Sequence, residues 1–173
     1  MVDVMDKLQK ITEFGKSTRE KQRYINVGEV FHVWDILVVK WDAMETAQIF
    51  ENFINDNDLK FINHQVVNAL QSGINDMENL MNDYGIPFPV RPPAGNKSTI
   101  HLEFFSDKFI FQNLHEAIQT FFPILATSFM QSTTPKIRKA IKNHLLLTLE
   151  LHEQIVEYGK LKGFLNEAPV YRA

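Results

Sequence analysis

Residues Val27 to Phe53, VGEVFHVWDILVVKWDAMETAQIFENF, hold more apolar surface than an ordinary exterior helix carries. Val30, Trp34, Leu37, Trp41 and Met44 recur at alternating steps of four and three, one helical stripe. Phe31 and Val38 make a second stripe beside it, and Val33, Ile36 and Val39 widen the apolar face. Asp35, Lys40 and Asp42 interrupt the run, so it falls short of the roughly 20 apolar residues a membrane span needs. A helix apolar over most of its circumference is buried by several neighbours. The stretch therefore predicts a central helix in an all-α bundle, with no membrane insertion.

The rest of the chain supplies the neighbours. Residues 2–14 read as a short amphipathic helix with Val4, Leu8 and Ile11 on one face and Gly15 as its stop. Ser17 and Glu20 have capping-box spacing, which starts the first long helix near Thr18, or at Asn26 if Gly28 shortens it. Asn55-Asp56-Asn57-Asp58 is a turn. A second helix follows, with a seam of Leu59, Ile62, Val66, Ala69, Gly73, Met77, Leu80 and Tyr84, and Gly85 closes it. Residues 86–105 hold four of the seven prolines and cannot be helical. At about 3.1 Å per residue this segment can cross from one end of a bundle to the other.

A third helix starts near Ser106 and carries Ile110, Leu114, Ala117, Phe121, Leu125 and Ser128, with Pro123 inside predicting a kink or bulge. Thr134 as N-cap and Pro135 at the first helical position open a fourth, with Ile137, Ile141, His144, Thr148, Leu151, Ile155 and Tyr158 on its seam. Short, long and short connections between four helices describe an antiparallel bundle with one crossover, the ferritin-like arrangement. At 173 residues this is one domain: residues 1–23 an N-terminal helix and linker, residues 24–171 the bundle.

A net charge of −3 argues against a nucleic-acid partner. The absence of cysteine excludes disulfides and thiolate chemistry. MVDVMDKLQK lacks the apolar core of a secretory signal, so the default compartment is the cytoplasm.

Three groups of residues carry a resemblance. They are Gly85-Ile86-Pro87-Phe88-Pro89, Phe105-Ser106-Asp107-Lys108-Phe109, and Pro135-Lys136-Ile137-Arg138 followed by a long helix and Lys162-Gly163. Over residues 25–171 they resemble an uncharacterised ferritin-like family of Bacillus and its relatives. Many of its members are described as spore-coat-associated, and many carry two copies of the domain. The resemblance implies the fold and a sporulation setting, and it brings no catalytic residue. This chain has a single copy.

The fold raises the question of a two-metal centre, which takes a Glu from two helices and Glu-x-x-His from the other two. The one Glu-x-x-His, Glu29 to His32, lies on the first long helix, where an exposed polar face is the simpler reading. The second and fourth helices lack the motif. The remaining candidates for a degenerate site are Glu45, His115 and His144, with Glu45 paired to one of the histidines if it points inward. A histidine on an apolar seam is more often a core residue than a ligand. Glu150, His152, Glu153 and Glu157 read as a solvated acidic face. Fourteen phenylalanines and two tryptophans imply a bulky core or an apolar pocket, with Met44, Met77, Met81 and Met130 available to line either.

The sequence thus favours a non-enzymatic structural or interaction protein, possible partners being spore proteins or itself, with no cofactor. A ferritin-like metal-binding oxidase or storage protein is the alternative. Surplus apolar area around Val33, Ile36 and Val39 predicts a homodimer burying more than about 1,000 Å². The N-terminal helix covering the same surface is the competing account.

Overall fold

The structure is a computed structural model and describes residues 11, 14–91 and 105–168. Its helices are α1 (Thr18–Lys21), α2 (Val27–Glu51), α3 (Asn57–Tyr84), α4 (Asp107–Gln131) and α5 (Pro135–Lys162). The four long ones form an antiparallel bundle. Contacts at the helix ends fix their directions. Lys136 at the start of α5 pairs with Asp83 at the end of α3, and Lys162 at the end of α5 reaches Asp56 before α3. His32 early in α2 meets Gln131 at the end of α4, and the Asn55 amide after α2 donates to Asp107 at the start of α4. So α2 and α5 run one way, α3 and α4 the other. The connection from α3 to α4 must therefore travel the length of the bundle.

Around the bundle the order is α2, α3, α5, α4. Residues 86–91, where the crossover starts, are not helical. At its far end Phe105 stacks on Phe53 with ring centroids 4.7 Å apart and meets Phe50 and Phe109 edge-on. The predicted helix at 2–14, apart from Ile11 and Phe14, and most of the crossover lie outside the described residues.

The capping box at Ser17 and Glu20 forms, but it opens only the single turn of α1. The long helix begins at Asn26, whose side chain accepts from the Glu29 amide while Glu29 accepts from the Asn26 amide. One turn of helix then lies across the end of α3. Gln22 Nε2 donates to the Tyr84 carbonyl at 2.9 Å. Gly85 ends α3 at φ 62°, and a Cβ there would meet the Gln22 and Thr18 side chains. Only glycine combines that left-handed turn with such a close approach. The α4 helix continues through Pro123, whose side faces solvent.

The seams of α3, α4 and α5 are buried as their periodicity predicts, except that Ala117 is exposed and Ala69 and Thr148 are half-buried. On α2 the predicted stripe is buried at Leu37, Trp41 and Met44, half-buried at Val30 and exposed at Trp34, and the buried face is wider than the stripe. Glu29, Val33, Ile36, Leu37, Lys40, Met44 and Ala47 point into the core. Trp34 is 38 % and Phe31 57 % exposed. Met44, Met77 and Met81 belong to the core, whereas Met130 is exposed.

Candidate functional site

Two polar constellations lie inside this apolar frame. The first is at the end of the bundle where α2 starts and α4 turns into α5. Glu29 is fully buried, and its Oε1 accepts from the Thr133 and Thr134 amides at 2.7 and 2.6 Å. Its Oε2 accepts from Thr134 Oγ1 and the Asn26 amide at 3.0 Å each. A carboxylate offers about four acceptor positions, and here all are used. Thr134 makes no cap with its own side chain. Glu29 therefore caps α5 from another helix while completing the capping box of α2. The negative charge sits at two helix N-termini, where both dipoles favour it. His32 is also buried, with Nε2 2.7 Å from Gln131 Oε1, which places the proton on Nε2. The Glu29–His32 pair is thus buried and not an exposed polar face. It ties the start of α2 to the α4–α5 turn.

The second constellation lies at mid-height, where all four helices meet. Lys40 is only 5 % exposed. Its amine packs against Gly73, where a Cβ would come within 2.5 Å of Nζ, and lies 5.2 Å from the centroid of the Phe121 ring. Among the described residues Nζ finds no hydrogen-bond acceptor; Asp76 on α3 acts on it through space. Burial disfavours the ammonium and Asp76 only partly restores it, so the Lys40 pKa falls to about 8. His144 on α5 is 4 % exposed, with Nε2 3.2 Å from Asp76 Oδ2 but out of hydrogen-bonding line. Burial, then the Lys40 charge, lowers its pKa to about 4. The Asp76 contact would favour the imidazolium, but that carboxylate is half in water and poorly aligned, so burial prevails. Burial also raises the pKa of Asp76, and Lys40 opposes that rise.

A slot of about 110 Å³ runs beside this group. Lys40, Phe121 and His144 lie at one end of its lining and Phe50 and Val66 at the other, with Ala43, Ala47, Leu147 and Leu151 between. Of the lining residues only Thr46 and Ala117 are exposed, which puts the mouth between α2 and α4.

The residues predicted as a degenerate metal site do not converge. Glu45 is half-buried on α2 and pairs with neither histidine. His115 stacks on Phe111 and on His152, 5.5 Å away, with Gln119 Nε2 within 3.3 and 3.4 Å of the two Nε2 atoms. Burial and the neighbouring His152 lower the His115 pKa. His144 faces the bundle centre instead. Among the described residues no three His, Asp or Glu side chains gather as metal ligands. Glu150, Glu153 and Glu157 are exposed, as expected of a solvated face, while His152 is half-buried against His115.

Two members of the central group escaped notice in the sequence. Lys40 reads as a polar break, yet it lies at a seam position, four residues after Ile36 and four before Met44. Gly73 sits on its own helix's seam, and a glycine there leaves room for a side chain from the facing helix.

Because His144 is held neutral in the folded state and gains a proton freely once unfolded, the unfolded chain binds more protons below about pH 6.5. Stability should therefore fall as pH drops from about 6.5 to about 4, by up to about 3 kcal/mol. Asp76 works against this, since its raised pKa favours the folded chain in acid. Urea titrations of the protein and of His144→Gln at pH 7 and pH 4.5 test the point. An equal loss in both would show that His144 is not the titrating group.

A family model described as a protein of unknown function, DUF3231, matches residues 13–173. The chain belongs to the DUF3231 family. Its fold is similar to that of a putative spore coat protein from Bacillus halodurans, at TM-score 0.80 and 20 % identity, over 86 % of this chain and 96 % of that one. It is also similar to part of a two-domain protein from Anabaena variabilis that contains DJ-1/ThiJ/PfpI-like and ferritin-like domains. That match has TM-score 0.65 and 13 % identity, and covers 84 % of this chain and 40 % of the other. No curated protein matches the sequence. The DUF3231 chain is thus an all-α, ferritin-like bundle. Among its described residues no helix is long and apolar enough to cross a membrane.

Proposed function

We propose that this DUF3231 protein is a non-enzymatic structural or interaction protein that works in the cytoplasm or at the spore coat. The observation that carries the reading is the middle of the bundle. There, where ferritin-like metal proteins gather carboxylates and histidines from four helices, this chain places Lys40, Gly73, Phe121 and His144. A buried ammonium already occupies the region and repels a second cation. Glu29, the buried carboxylate, has its acceptor positions filled by the protein's own donors. The likeness to a putative spore coat protein from Bacillus halodurans supports the setting. Elemental analysis after incubation with ferrous iron is the test. Less than about 0.1 iron per chain is expected; near-stoichiometric iron would restore the oxidase or storage alternative.

The interaction surface belongs to α2. Val33 and Ile36, which suggested pairing from sequence, are buried inside the monomer. The outward side instead carries Val27, Phe31 and Trp34 at steps of four and three, 86 %, 57 % and 38 % exposed. Two copies of such a stripe can pair about a two-fold axis. Light scattering at micromolar concentration should give twice the 20.1 kDa chain mass, and Phe31→Lys should halve it. A monomer in the unaltered protein would end the dimer reading.

A further inference from the structure

The slot at the centre of the bundle has the makings of a ligand site. Its walls are almost entirely carbon, and Lys40 and His144 bring two nitrogen groups to one end. Lys40 Nζ meets no acceptor among the described residues, and His144 Nε2 is buried without a hydrogen bond. An ammonium taken largely out of water gains from an anion brought beside it. Gly73 makes the position possible, since any side chain there would displace the amine. The feature is thus accommodated by the opposite helix.

The shape narrows the partner. On α2 the lining runs from Lys40 to Phe50, about 15 Å along the axis at about 1.5 Å per residue. The volume of about 110 Å³ is below that of an engineered cavity of about 150 Å³ that takes benzene. A long, thin space of that capacity suits a chain of about six carbons better than a ring system. We infer that this slot binds a short, unbranched apolar carboxylate, its anionic head on Lys40 and its chain lying toward Phe50. His144 Nε2 stands ready as a second donor to the head group in the tautomer that protonates it. Entry is between Thr46 and Ala117. Asp76, beside His144, repels the head group and makes Lys40 the principal anchor.

Calorimetric titration of the full chain with hexanoate and with hexan-1-ol at pH 7 tests the inference. Hexanoate should bind at least ten times more tightly than the alcohol, which has the same chain and no charge. Lys40→Met should weaken hexanoate at least tenfold and leave hexanol nearly unchanged. Ala43→Leu, at a half-buried wall position, should abolish both. Above about pH 8 hexanoate affinity should decline as Lys40 loses its proton. The other groups facing Lys40 are Asp76 from α3, whose carboxyl pKa burial raises, His144 from α5, which stays neutral above about pH 4, and Phe121 from α4, which does not titrate. Three results would each overturn the inference: no hexanoate binding up to 20 mM (about the weak limit of small-ligand recognition), equal affinity in Lys40→Met, or unaltered binding in Ala43→Leu.

Discussion

Replacing Glu29 with alanine is expected to destabilise the protein by about 3–5 kcal/mol, enough to unfold much of a marginally stable domain. The side chain is fully buried and accepts four hydrogen bonds, three of them from the α4–α5 turn. Its loss strands the buried Thr134 amide and hydroxyl and leaves the part-buried Thr133 amide without its acceptor. Each stranded donor costs about 1–3 kcal/mol, less whatever water enters the space left behind. The turn also loses the charged group that ties it to the start of α2. Glu29→Gln keeps one oxygen acceptor but turns an amide N–H₂ toward donors, so it should recover less than half of the loss. Asn26→Ala removes the cap of α2 and the long 3.5 Å contact to Thr133 Oγ1, and should cost about 1 kcal/mol. Urea denaturation of the three variants, compared at constant m-value, measures the order. If Glu29→Ala cost no more than Asn26→Ala, the cross-helix cap would carry no weight and the turn would be held by its apolar neighbours.

That contact marks where the sequence stops being legible. Helix boundaries could be read because their signals are local: Gly85, Thr134-Pro135 and the Ser106 cap each act within a few residues. The bundle and its crossover followed from them, since the prolines of residues 86–93 exclude a fifth long helix and a long connection joins opposite ends. Glu29 is different. Its spacing to Asn26 predicts a local cap, but its other three partners lie more than 100 residues away. No periodicity encodes such a reach. The wider buried face of α2, which takes in Glu29 and Lys40 and leaves Trp34 partly outside, has a related cause. Almost every side of that helix is apolar, so hydrophobic spacing cannot choose among faces. The choice was made by Glu29 and Lys40, two charged residues that ordinary patterning assigns to solvent. The empty position at Gly73 was a weak signal on the facing helix, meaningful only once the two helices are known to be neighbours.

Lys40 should show the opposite behaviour to Glu29: Lys40→Met is expected to stabilise the protein at neutral pH, by about 2–3 kcal/mol. The lysine pKa is pushed down to about 8 because burial takes the ammonium largely out of water and the Asp76 charge offsets only part of that. An unfolded lysine titrates near 10.4. Below about pH 8 both states are protonated, and the folded state bears the whole cost of the buried charge, about 3 kcal/mol. Between about pH 8 and pH 10.5 the unfolded chain binds more protons than the folded one, so stability rises with pH and the cost disappears. Methionine matches the length and shape of the lysine stem and has no charge to bury. It forfeits the attraction of the Phe121 ring face, which is the smaller effect. The advantage of Lys40→Met should therefore be largest at pH 7 and vanish near pH 10.5. Gly73→Ala supplies an independent check. Alanine is the better helix former by about 1 kcal/mol, but its Cβ would collide with the Lys40 amine. Alone it should fail to stabilise; combined with Lys40→Met, whose uncharged tip can move aside without losing solvation, it should recover part of that 1 kcal/mol. Urea midpoints across pH 7 to 10.5 for the two single variants and the double variant settle the matter. A Lys40→Met protein less stable than its parent at pH 7 would mean that the ammonium has a strong acceptor after all, and that the centre of this bundle is a completed ion pair.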